Sequence, residues 1–129
     1  MKFTKEEISL CKQVAENYRK KIKRGDWIID DKGEVCLIEN IDKDNTMMAG
    51  YGKNIRYFSL DYSEIIPLWT ISDCLEFLRE KFQKLRVCSD GKFETEYWLK
   101  DGCHYEYGET PLEACLKAVL AVLGEKTTG

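Results

Sequence analysis

The chain has 129 residues, 43% of them hydrophobic and 33% charged, with 20 Lys or Arg against 23 Asp or Glu for a formal net charge of −3. That balance excludes a disordered chain, which has too few apolar residues to build a core and a larger net charge, and the length allows one medium domain or two small modules. No apolar run nears the roughly 20 residues of a membrane span, and the acidic Glu6 and Glu7 stand where a secretion signal has its apolar stretch, so a cytoplasmic protein with no membrane contact is expected.

Thr4-Lys5-Glu6-Glu7 is a capping box that opens a helix. Ile8, Cys11, Val14, Tyr18 and Ile22 follow at helical spacing, and Gly25 closes it, which predicts a helix over residues 1–24. From Gly25 the period falls to two. Residues 26–30, 34–41, 46–51, 54–60 and 63–68 read as four or five short strands joined by turns at Asp31-Lys32-Gly33, Asp42-Lys43-Asp44-Asn45 and Gly52. Strands this short over residues 25–68 can close into a small antiparallel barrel resembling the SH3-like kind, which removes exposed edges.

The third stretch, residues 69–124, reads α-β-β-β-α. Ser72 is the expected cap of a helix carrying Cys74, Leu75, Leu78 and Phe82. Strands at 85–89, 92–99 and 103–107 are joined by turns at Asp90-Gly91 and Asp101-Gly102, giving a three-stranded antiparallel sheet. Thr110 caps a last helix with Pro111 at its first position, Gly124 ends it, and 125–129 is a tail. The overall expectation is an α+β protein: N-terminal helix, SH3-like barrel, αβββα layer. Alternation predicts that Phe93, Tyr97, Tyr105 and Tyr107 pack beneath the two helices, leaving Trp98 and His104 on the opposite face.

Chemistry-bearing motifs are few. The six cysteines are scattered without a C-x-x-C and read as buried structural thiols, so no metal is expected. His104 is the one histidine and the natural acid–base candidate, yet Cys103 beside it points to the other face and no nucleophile turn or oxyanion loop accompanies it. No phosphate-binding glycine loop or zinc-protease helix occurs, so neither a catalytic site nor a cofactor is expected. Charge is uneven: residues 1–24 hold eight Lys or Arg against three Glu, and the rest twelve against twenty acids. Arg19, Lys20, Lys21, Lys23 and Arg24 form a basic stretch that could grip phosphates or dock on an acidic protein surface. The αβββα order resembles that of double-stranded RNA-binding domains. Where those place a lysine cluster, however, this chain has Glu109-Thr110-Pro111-Leu112-Glu113-Ala114, which argues against RNA contact.

Pro67-Leu68-Trp69-Thr70, Ser72-Asp73-Cys74-Leu75-Glu76-Phe77-Leu78 and the close Gly108-Glu109-Thr110-Pro111-Leu112-Glu113-Ala114-Cys115-Leu116-Lys117-Ala118 make residues 69–123 similar to the phage ABA-sandwich group. The resemblance implies a phage or prophage origin and brings no catalytic residue with it. The function expected is therefore a non-enzymatic protein-interaction module, binding a protein partner or itself through Trp27, Tyr51, Tyr57, Trp98 and His104. The alternatives are a nucleic-acid accessory protein that uses the basic helix and a small enzyme whose site forms only in an oligomer.

Overall fold

The computed structural model describes residues 2–62 and 64–128, with side chains described as far as Glu125. The class is α+β, with three α-helices, a five-stranded sheet and a three-stranded sheet, both antiparallel, among the described residues. The chain divides into two compact units, one of residues 1–18 with 69–129 and the other of residues 19–68. The first helix thus belongs with the αβββα layer.

In the discontinuous unit, α1 (Lys5–Ala15) opens on the expected box: Glu7 N donates to Thr4 Oγ1 at 3.0 Å and Thr4 N donates to Glu7 Oε1 at 2.8 Å. Its buried stripe of Leu10, Cys11 and Val14 packs on α3 (Pro111–Thr128). The helix stops at Ala15, about ten residues before the Gly25 expected to close it. In a continuous helix Tyr18 and Ile22 would share one face. Instead Tyr18 packs its ring on Trp69 and Phe77, with centroids at 5.9 and 5.1 Å, while Ile22 joins the core of the other unit. The basic stretch 19–24 is consequently not helical.

Thr70, two residues before the expected Ser72, caps α2 (Ile71–Leu78): its hydroxyl accepts from Asp73 N and the Asp73 carboxylate accepts from Thr70 N at 2.8 Å. A 3-10 turn at Arg79–Lys81 leads into β6 (Phe82–Val87), which pairs with β7 (Phe93–Leu99), and β7 with β8 (Gly102–Gly108). On α3, Leu112, Cys115, Leu116 and Val119 are buried, and the Thr95 hydroxyl of β7 donates to Cys115 Sγ at 3.6 Å. Thr110 caps α3 by accepting from Glu113 N at 3.0 Å, and its hydroxyl donates to Glu7 Oε2 at 2.6 Å. The helix passes through Gly124, so the expected tail is helical as far as Thr128, and Glu125 accepts from Lys100 N.

The continuous unit holds β1 (Trp27–Ile29), β2 (Val35–Ile41), β3 (Thr46–Tyr51), β4 (Asn54–Ser59) and β5 (Ile66–Leu68) in the order β4-β3-β2-β1-β5. The last strand returns beside the first, the order an SH3-like meander needs, and no ladder joins β4 to β5 among the described residues. Ile28, Cys36, Ile38, Met47, Ala49 and Phe58 alternate onto one face and form its core with Ile22 and Ile65. Gly52, at φ 69, starts the two-residue loop that joins Tyr51 to Asn54.

Gly108 ends β8 where the strand meets α3, and a Cβ built there would lie 2.6 Å from the Ala114 backbone nitrogen. Gly108→Ala must push strand and helix apart, and a loss of about 1–3 kcal/mol is expected from urea unfolding. An unchanged midpoint would show that this junction yields without cost.

Candidate functional site

α3 packs on β7 and β8 from one face of the three-stranded sheet. The other face carries three cross-strand rows built on period-two alternation. In the first row Arg86, Glu94 and Tyr107 stand side by side: Arg86 donates to Glu94 through Nε at 2.6 Å and Nη2 at 3.2 Å, a two-pronged pair. The Arg86 bonds, followed by a hydrogen bond from Tyr107, hold the Glu94 carboxyl below its ordinary pKa, and the Tyr107 hydroxyl is raised in return. The second row repeats the chemistry: Lys84 lies 3.5 Å from Glu96, and Tyr105 donates to Glu96 at 3.5 Å. In the third, the Trp98 indole donates to Gln83 Oε1 at 3.1 Å and Trp98 pairs across the ladder with Cys103. Each row therefore sets a polar residue of β6 against β7 and β8. Trp98, Tyr105 and Tyr107 remain 44%, 49% and 48% exposed as residues.

This corrects the expected faces. Tyr105 and Tyr107 do not lie beneath the helices with Tyr97, and His104 does not accompany Trp98. A two-residue hairpin loop, here Lys100-Asp101 between the paired Leu99 and Gly102, matches odd positions of one strand to even positions of the next. Tyr97 therefore pairs with His104, and Glu96 with Tyr105. His104 sits 5.9 Å from the buried Tyr97 ring, and its Nε2 lies 2.6 Å from Asp101 Oδ1. That contact lowers the Asp101 pKa.

In the other unit Trp27 and Tyr51 line one groove of about 590 Å³, together with Glu34, Val35, Leu37, Glu39, Gly50 and Gly52. Tyr57 stands outside it on β4, 66% exposed. The groove edge is held by Asp30, whose side chain is fully buried. Its Oδ1 accepts from Lys32 N and Glu34 N at 2.9 and 2.8 Å, and its Oδ2 accepts from the Tyr51 hydroxyl at 2.8 Å and from Arg56 at 3.1 Å. Burial alone would raise the Asp30 pKa. The bonds from Glu34, Tyr51 and Lys32 and the Arg56 charge outweigh it and hold the carboxyl below its ordinary value. Of the basic stretch, Arg19 donates to the Ile65 carbonyl and Lys20 lies 3.6 Å from Asp26, while Lys21, Lys23 and Arg24 are exposed.

Sequence reasoning missed Tyr105, Tyr107 and the paired rows, although Lys84-x-Arg86, Glu94-x-Glu96-x-Trp98 and Cys103-x-Tyr105-x-Tyr107 show the period once loop parity is applied. Among the described residues no group of three or more His, Cys, Asp or Glu is placed to hold a metal ion, and no helix is long and apolar enough to cross a membrane. Comparison with protein-family models, curated proteins and solved structures finds no match to this chain.

Because the Asp30 pKa is lowered on folding, its contribution is present above the unfolded value near 3.9 and is lost as pH falls through the folded value. Asp30→Asn is expected to cost about 1–3 kcal/mol at neutral pH and to flatten the acid limb of stability against pH. Parallel acid limbs for the two proteins would show that Asp30 is not the titrating group.

Proposed function

We propose that this chain is a non-enzymatic protein-interaction module that self-associates through the open face of the β6-β7-β8 sheet. The observation that carries the reading is the pairing of three half-exposed rings with two fully compensated ion pairs. Burying unpaired charge is costly, but here Lys84 and Arg86 already meet Glu96 and Glu94, so the face can leave water without stranding a charge. The same pairing disfavours phosphate, which needs cations not already engaged. Cation-bearing β6 beside carboxylate-bearing β7 makes the face complementary to a two-fold-related copy of itself, the commonest symmetry of oligomers.

Support also comes from the thiols. Burial pushes Cys36 and Cys115 upward in pKa, and burial with the neighbouring Glu96 does the same to Cys103, the reverse of nucleophile activation. A phage-type origin remains part of the proposal on the motif at 108–118 alone. A nucleic-acid role has the exposed Lys21, Lys23 and Arg24 in its favour.

Strands of seven residues spaced about 4.8 Å apart offer roughly 300–400 Å² of plan area. That is under the about 800 Å² per partner of a standard interface, so the dimer belongs to the weak, concentration-dependent class. Sedimentation velocity is expected to show a monomer–dimer equilibrium over about 10–500 μM, with Trp98→Ala raising the dissociation constant about tenfold, as loss of a central aromatic does. A monomer at every concentration, or a dimer indifferent to Trp98→Ala, overturns the reading. Salt-sensitive co-sedimentation with an added oligonucleotide would replace it with the nucleic-acid one.

A further inference from the structure

We propose that the groove on the outer face of β1, β2 and β3 is a separate docking site, and that it takes an extended basic peptide of a partner protein with apolar residues between its cations. Three observations converge on this ligand. Trp27, Leu37 and Gly50 are cross-strand partners in one row, with Val35 on the same face of β2, so the floor is apolar and turned away from the core residues Cys36 and Ile38. The lining holds two carboxylates, Glu34 and Glu39, and no cation. A volume near 590 Å³ lies within the range of sites that bind ligands.

The position of each carboxylate has a structural cause. The ladder between β2 and β3 slips between Ile38 and Asn40, leaving Glu39 as the extra residue of a β-bulge. Bulges re-aim side chains, and this one lays the Glu39 carboxyl group over Gly50, where a Cβ would stand 2.7 Å from its Cδ. Glu34 is set by the turn in which its own N–H binds Asp30. The Glu39 carboxyl over Gly50 and Glu34 at the turn thus flank the floor of Val35 and Leu37 from its two ends. The ligand signature is therefore a cation on either side of an apolar side chain that lies over Val35 and Leu37.

The proposal shares no residue with the self-association face and stands or falls independently of it. The test is an NMR titration of the ¹⁵N-labelled full chain with the blocked peptide Lys-Ser-Leu-Ser-Lys, its glutamate counterpart, and the rearranged Lys-Lys-Leu-Ser-Ser. Shifts are expected at the Trp27 indole N–H and the Leu37, Gly50 and Gly52 amides with the first peptide, and shifts at least about fivefold weaker with the other two. Glu34→Gln with Glu39→Gln should weaken binding about fivefold, as the loss of two exposed ion pairs does. Gly50→Ala, which displaces only the flexible end of Glu39, should weaken it in the same direction. Equal binding of the glutamate or rearranged peptide overturns the proposal, as do shifts confined to other residues and no shifts at millimolar peptide. So do groove shifts that grow on concentrating the protein alone, which would place a second copy there.

Discussion

The hydrogen bond from the Thr110 hydroxyl to the buried Glu7 carboxylate joins the first helix of the chain to the last across 103 positions of sequence. Around it, one hydroxyl caps α3 and one carboxylate closes the capping box of α1. Both helix starts thus share one satisfied polar cluster at the place where α1 must find α3. The closure has an entropic cost that rises only slowly with loop length, and the intervening unit lowers it further. Arg19 at the start of that unit donates to the Ile65 carbonyl near its end, and β5 lies beside β1, so its two chain ends are held near each other. Arg19, read from the sequence as a possible phosphate ligand, is a residue of closure.

A second buried carboxylate organises the continuous unit in the same way. Asp30 receives four donors from three segments of chain: the 31–34 turn, β3 through Tyr51 and β4 through Arg56. A carboxylate so placed can be desolvated because every donor it loses from water is replaced. The Tyr51 ring, packed against the core of this unit, is oriented by this contact, and the Glu34 that borders the groove is positioned by the same turn. The groove's geometry therefore depends on a residue that does not line it.

What was legible in the sequence follows from how local each determinant is. Thr4 with Glu7, and Thr110 with Pro111, declare helix starts over a few residues, and the turns at Gly52, Asp90-Gly91 and Asp101-Gly102 declare hairpins, the last of them one residue beyond the Lys100-Asp101 loop that the ladder shows. The α+β class and the order of strands follow from these. The end of α1 was not legible, because Tyr18 and Ile22 fit a helical period and only the division of the chain into two units sends them to different cores. Thr70 and Ser72 are both cap-type residues before the apolar stripe, and Asp73, three positions on from Thr70, is what makes Thr70 the cap by its reciprocal bond. The faces of β8 were legible and were misjudged: chemical likeness grouped Tyr105 and Tyr107 with Tyr97, whereas loop parity pairs Tyr97 with His104. Alternation with Val35 and Leu37 puts Glu39 on the groove face, whereas the bulge that carries its carboxyl over Gly50 is a cross-strand feature that the sequence of β2 alone does not show.

The two candidate surfaces differ in electrostatic character, and that difference bears on what each can bind. On the sheet face every carboxylate is matched by a cation of the neighbouring strand, so association there draws on ring burial and is only weakly screened by salt. In the groove Glu34 and Glu39 face solvent with no cation among the lining residues, so its affinity falls as salt rises. Each is weak taken alone, by area in one case and by exposure in the other. Weak sites gain when they are linked. A self-associated pair of the kind proposed would carry two grooves, and a partner with two basic segments that span them would bind its second groove as an intramolecular event. Occupying both grooves in turn favours the paired form, because a ligand that prefers one state shifts the population toward it. The small face proposed for self-association would be suited to that coupling: a pair already saturated on its own would have no equilibrium left for the groove ligand to move.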